Sequence, residues 1–159
     1  MNKEYIIALK DSLIKKCRIL DEIYDMGLIQ SKMLASDELD YGEFNELVEN
    51  RDLALDNIDK IDEGFEILYE RARQDMQANM DIYSEDIKNM KESIKYITDK
   101  VTAINALDSR NKSALENVLL RDRRNIQESK RSVSVAMNYY KNMNGLGAGD
   151  NSIYFNKKN

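Results

Sequence analysis

Apolar residues recur at alternating steps of three and four along most of the chain, the pattern of helices with one apolar face. In the first such stretch, residues 3–35, the apolar face consists of Ile6, Leu9, Leu13, Leu20 and Ile23. In the second, residues 40–76, the face consists of Phe44, Leu47, Arg51, Leu55, Ile58, Ile61, Phe65, Leu68 and Ala72. Asp40 followed by Glu43 resembles a capping box and predicts the start of that second helix.

The third pattern is the longest and covers residues 80–143. Every position of its face is apolar up to Ile104, whereas Asp108, Asn111, Asp122 and Ser129 interrupt it afterwards. A break between residues 108 and 113 is one interpretation of this change. Glycines after residue 143 predict a helix stop followed by a flexible tail over residues 144–159.

These patterns predict an all-α fold, an antiparallel three-helix coiled-coil-like bundle over residues 1–143 with a long C-terminal helix. At 1.5 Å per residue the first two helices would be about 50 and 55 Å long, and an unbroken third about 90 Å. Two shorter helices cannot cover the third along its whole length. We therefore expect its second half, from Leu115 to Tyr140, to project from the bundle.

An apolar face on a projecting helix favours contact with a partner. The candidate partner-binding residues are Leu115, Val118, Leu119, Ile126, Val133, Met137 and Tyr140. Two other interpretations remain open from periodicity alone. The same residues fit a fourth helix that packs inside the bundle after a break near Asn111, or a homodimer interface.

Two residues on or beside the predicted apolar faces carry polar or reactive groups. Arg51 interrupts the second face, where it can pair with a carboxylate of a neighbouring helix and fix the register, or reach water at the bundle edge. Cys17 lies beside the first face, where core packing is favoured over a redox role.

The composition argues against an enzyme. The chain has no histidine, and it contains neither a glycine-rich phosphate loop nor a calcium loop, so we expect no cofactor and no metal. A single cysteine cannot form an intramolecular disulfide, and no apolar run nears the roughly 20 residues that span a bilayer. The sequence thus predicts a cytoplasmic protein without membrane insertion.

Charge is distributed unevenly, although the net charge is only −5. Residues 37–70 contain 13 acidic and 2 basic side chains, whereas residues 110–141 contain 8 basic and 3 acidic ones. Arg121, Arg123 and Arg124 raise the question of nucleic-acid binding. No aromatic residue lies among them, and the acidic second helix offers an alternative partner for their charge, which argues against nucleic acid.

Four stretches resemble the FlgN-type flagellar export chaperones. They are residues 60–71 (KIDEGFEILYER), 108–112 (DSRNK), 136–143 (AMNYYKNM) and 152–158 (SIYFNKK). The resemblance implies a chaperone of flagellar type III secretion that binds unexported hook-filament junction proteins and escorts them to the export gate. It also implies that the C-terminal helical region, here residues 115–140, binds the substrate. The alternative is a structural coiled-coil protein that self-associates through its third helix.

Overall fold

The computed structural model of the chain describes residues 3–123 together with Met137 and Asn138. Within these residues it contains three helices, α1 (Lys3–Leu34), α2 (Tyr41–Ala78) and α3 (Ser84–Arg121). α1 packs closely against both α2 and α3. The predicted all-α three-helix bundle is therefore confirmed, and the first two helices match their predicted bounds to within two residues.

Contacts between side chains fix the directions of the helices. α1 and α2 are antiparallel, because Lys16 bonds to Asp62 whereas Gln30, later in α1, bonds to Arg51, earlier in α2. α1 and α3 are parallel, because Lys10 bonds to Asp86 and Gly27, later in α1, bonds to Asn111, later in α3. The bundle thus runs up, down and up, with α1 parallel to α3.

Apolar side chains from all three helices form one continuous core. The buried members of α2 are Phe44, Val48, Arg51, Ala54, Ile58, Phe65, Tyr69, Ala72 and Met76. Four positions predicted for this face, Leu47, Leu55, Ile61 and Leu68, are only half buried. The prediction assumed a narrow apolar stripe along α2. A helix that packs against other helices buries a wider face, and the residues at the edges of that face are partly exposed to solvent.

The turns between the helices are held by side-chain hydrogen bonds. Asp40 caps α2 by accepting a hydrogen bond from the backbone N–H of Glu43 at 3.0 Å, as the sequence predicts. At the other end of α2, Asn79 donates to the carboxylate of Asp75 at 2.9 Å. The hydroxyl of the buried Tyr83 donates to the second carboxylate oxygen at 3.0 Å.

The third helix is shorter than predicted, because α3 ends at Arg121 and not at residue 143. It is continuous through residues 108–113, where a break was one interpretation. Its end lies beside the turn between α1 and α2, where Arg121 Nη1 donates to the carbonyl of Ser36 at 3.1 Å. Since α2 contains as many residues as α3, 38, and α1 contains 32, the first two helices do cover α3. The predicted tail, residues 144–159, lies outside the described residues.

Candidate partner-binding surface

The predicted partner-binding residues do not form an exposed stripe where the structure describes them. Leu115 is 1% exposed and Val118 is 5% exposed, and both belong to the core of the bundle. This corrects the expectation that the chain projects from the bundle at Leu115, because α1 and α2 extend far enough to bury both residues. Leu119 is half buried at the edge of the core.

Of the remaining candidates, only Met137 lies within the described residues. It is half buried and packs against the same core, in place of the projecting position that was expected. Ile126, Val133 and Tyr140 lie outside the described residues.

A buried polar layer joins the three helices near the end of the bundle that contains the α1–α2 turn. Arg51 of α2 is fully buried, and its guanidinium donates to both carboxylate oxygens of Asp108 in α3, at 2.8 and 3.1 Å. It also donates to the side-chain oxygen of Gln30 in α1 at 2.6 Å. Burial raises the pKa of the Asp108 carboxyl above its usual value, and the neighbouring Arg51 offsets part of this rise. Arg51 therefore pairs across the core and does not reach water.

The same layer brings α1 and α3 close together. Asn111, which is 1% exposed, donates from its side chain to the carbonyl of Gly27 at 2.9 Å. A Cβ atom at residue 27 would lie 2.8 Å from a methyl carbon of Leu107. Any larger residue here would force the side chain of Leu107 to shift, which favours glycine at a position where it otherwise weakens a helix.

A second ion pair lies between α1 and α2. Lys16 is 3% exposed and donates to the carboxylate of Asp62 at 2.7 Å. The ammonium of Lys16 is therefore buried, and the carboxylate with which it pairs is partly exposed.

The outer edge of the α1–α3 contact is closed by polar side chains. Asp21 of α1 accepts hydrogen bonds from the hydroxyl of Tyr96 at 2.6 Å and from the ammonium of Lys100 at 3.2 Å. Cys17 is half buried on the same side, and its thiol donates to the carbonyl of Ser93. Burial raises the pKa of this thiol, which disfavours the reactive thiolate and agrees with a packing role.

The α2–α3 contact is more open. These two helices approach each other less closely than either approaches α1, and long side chains bridge them. At one end, the hydroxyl of Tyr41 donates to Asp122 at 3.2 Å, and in the middle Arg51 reaches Asp108. A shallow groove, the α2–α3 groove, follows from this spacing.

Half-buried residues form the α3 edge of the α2–α3 groove. They recur at heptad-related intervals on one side of the helix. These residues are Ile87, Ile94, Asn105, Lys112 and Leu119. Ile87, Ile94 and Leu119 each pack partly against the core and leave part of their apolar surface accessible. Leu119 is thus the predicted candidate that the structure places on an accessible edge.

Lysines surround the groove near the start of α3. Lys88, Lys91 and Lys95 line a cavity of about 440 Å³ together with Ser84, Ile87 and Glu92, so the lysines outnumber the one carboxylate there. The side of α3 that contacts α1 carries different residues, among them Ser93. The lysines therefore lie on the side of α3 that is turned away from α1.

Sequence reasoning missed Gln30 in the polar layer and the separate buried ion pair between Lys16 and Asp62. A signal for it was present, because Arg51 interrupts the face of α2 and Asp108 and Asn111 interrupt the face of α3. Opposite charges on two apolar faces indicate a buried pair once the helices are assigned to one bundle.

Neither a metal-holding cluster nor a membrane-spanning helix is found among the described residues. Within them, no group of three or more Cys, Asp or Glu side chains is arranged to hold a metal ion. None of the three helices is long and apolar enough to cross a bilayer. The surface of the described residues contains the α2–α3 groove, which is apolar and lies between charged edges.

Comparison with known proteins adds no assignment. No family model, no curated protein and no solved structure matches the chain.

Proposed function

We propose that the chain is a non-catalytic, cytoplasmic export chaperone of the FlgN type, which holds a helical segment of an unexported hook-filament junction protein. The resemblance of four sequence stretches supports the flagellar assignment. The α2–α3 groove supports the holding role, and it is the observation on which the proposal depends most. An amphipathic helix that lies along it would cover the accessible surface of Ile87, Ile94 and Leu119.

The proposed partner-binding site is the α2–α3 groove and not a stripe along a projecting helix. Leu115 and Val118 serve the bundle's own core, so a partner cannot reach them without unfolding it. The partner instead contacts residues that are half buried beside them. The same burial weighs against self-association through α3, because two of the residues that a second copy would need already have contacts within the chain.

The test is co-expression of the tagged full chain with hook-filament junction proteins, followed by affinity purification. Leu119→Asp should abolish recovery of the junction protein, because a carboxylate would be placed on the apolar edge. Leu120→Asp is the matched control, since its side chain is 59% exposed and needs no partner. Circular dichroism must show that both variants remain helical with similar melting temperatures.

If Leu119→Asp unfolds the bundle, Leu119→Ser provides the milder substitution at the same position. Failure of every junction protein to co-purify with the wild-type chain would overturn the proposal. Light scattering over a dilution series should give a monomer without the client. A dimer that persists on dilution would instead support the structural coiled-coil alternative.

A further inference from the structure

The α2 edge of the α2–α3 groove is acidic. Positions 41, 45, 52 and 59 are separated by four or seven residues and therefore share one side of α2. Tyr41 shows that this side is turned toward α3, because its hydroxyl reaches Asp122. Asp52 and Asp59 lie on it as exposed side chains, and Asp56 lies one turn beyond Asp52.

These three carboxylates are not neutralised by the bundle. Within residues 3–123, none of them forms an ion pair. Partial burial and the negative charge of Asp56 raise the pKa of Asp52, so the carboxylates repel one another. A cation beside them would relieve this repulsion.

The facing part of α3 carries Thr98, Thr102 and Asn105 on its groove side, followed by Lys112 near the level of Asp52. Within residues 3–123, Lys112 forms no ion pair with these carboxylates. The hydroxyl of Thr102 donates to the carbonyl of Thr98 in its own helix and is not directed across the groove. The side-chain oxygen of Asn105 is buried and has no hydrogen-bond partner among the described residues.

The α3 edge has the opposite charge near the start of the helix. Lys88, Lys91 and Lys95 surround Ile87 there, and within the described part of the chain none of them forms an ion pair. The α2–α3 groove is therefore bounded by carboxylates along α2 and by ammonium groups along α3.

We propose that the α2–α3 groove takes an amphipathic helix of a partner protein whose apolar stripe lies between a basic edge and an acidic edge. The basic edge faces Asp52, Asp56 and Asp59, and the acidic edge faces Lys88, Lys91 and Lys95. This deepens the proposed function and rests on it only in assuming that the groove holds a helix.

Separated charges would also set the direction of the bound helix. Turning the helix end for end exchanges its left and right edges, which brings like charges together along both sides of the groove. Like charges in contact are a common means of excluding a wrong orientation. The groove would thus accept one orientation of a given partner.

The experiment compares two synthetic helical peptides of identical composition and identical apolar stripe. One carries its basic and acidic residues on separate edges, and the other has them mixed on both edges. With the full chain, the separated peptide should bind about tenfold more tightly at low salt, because several exposed ion pairs each contribute modestly. The difference should shrink toward unity in about 1 M salt. Equal affinity of the two peptides at low salt would overturn the inference.

Variants of the chain localise the effect. Asp52→Asn combined with Asp59→Asn should remove most of the preference for the separated peptide. Glu43→Gln combined with Glu46→Gln is the matched control, because it removes the same charge from exposed positions on the opposite side of α2. A preference that survives the first pair, or that is lost equally with the control pair, would contradict the placement of the basic edge.

The outcomes for this inference and for the proposed function are distinguishable. Binding of the separated peptide without recovery of any junction protein would support the groove chemistry and refute the flagellar assignment. Recovery of a junction protein with no preference between the peptides would support the flagellar assignment and refute the groove chemistry.

Discussion

Replacing Arg51 tests the buried polar layer most directly. Arg51→Met keeps an unbranched chain of similar length and removes the cation that pairs with Asp108. The carboxylate is 1% exposed, so water cannot replace the lost partner without a rearrangement of the core. Gln30 loses its contact with the guanidinium in the same variant.

The expected loss is large relative to the stability of a small domain. Removing one partner of a buried ion pair costs about 3–5 kcal/mol, out of a total free energy of unfolding of about 5–15 kcal/mol. Asp108→Asn should cost a similar amount, because it leaves the buried guanidinium without its carboxylate. The double variant Arg51→Met with Asp108→Leu should lie within about 1 kcal/mol of the wild type or be more stable, since no charge remains in this polar layer.

The direction in which stability changes with pH provides a second test of the pair. Burial already raises the folded-state pKa of Asp108, and loss of Arg51 removes the effect that offsets this rise. The folded state of Arg51→Met then binds more protons than the unfolded state between the two pKa values. Its stability should therefore fall as pH increases from the unfolded value of about 3.9, more steeply than that of the wild type.

Urea denaturation followed by circular dichroism at several pH values measures these quantities. Equal slopes of free energy against urea concentration would show that the variants bury similar surface. A loss below about 1 kcal/mol in both single variants would refute the reasoning, because exposed ion pairs contribute no more than that. A double variant as unstable as the sum of the single variants would show that the two residues do not act as a pair.

Two further matched pairs test the packing of α3. Leu115→Ala should destabilise the bundle by about 2–5 kcal/mol, as measured by urea denaturation. Leu120→Ala should change the stability by less than about 0.5 kcal/mol. Equal effects of the two variants would show that Leu115 is not in the core. Gly64→Ala should stabilise the chain by about 0.5–1 kcal/mol, because a Cβ there meets no described atom within 4 Å. Gly27→Ala should lack this gain, since the side chain of Leu107 would have to shift to make room. A stabilisation equal to that of Gly64→Ala would contradict the close approach.

The helical elements could be predicted because they follow from local periodicity. The apolar faces around Leu9 and Phe44 define α1 and α2, and Asp40 marks the start of α2. The pairing of Arg51 was also foreseen as one of two alternatives. Its partner was not, because the choice among many carboxylates depends on which heptads of α2 and α3 face each other.

The end of α3 could not be predicted from periodicity. The three-and-four spacing continues past Arg121, so the pattern contains no stop signal at that residue. The stop coincides with the turn between α1 and α2, where Ser36 and Tyr41 contact the end of the helix. Such contacts depend on the lengths of the other two helices. For the same reason the sequence predicted that Leu115 and Val118 are exposed. Periodicity alone cannot show whether the neighbouring helices are long enough to cover an apolar face of α3.

The polar layer also explains how three helices with repetitive apolar faces settle in one register. A shift of α3 by one heptad would place Leu115 or Val101 beside Arg51, and the guanidinium would then be buried without a carboxylate. The cost, about 3–5 kcal/mol, exceeds what most single apolar contacts could recover. An apolar layer imposes no such penalty, because leucine and valine can exchange places with modest repacking. Arg51, Asp108 and Gln30 therefore select the register that fixes which residues of α2 and α3 form the two edges of the α2–α3 groove.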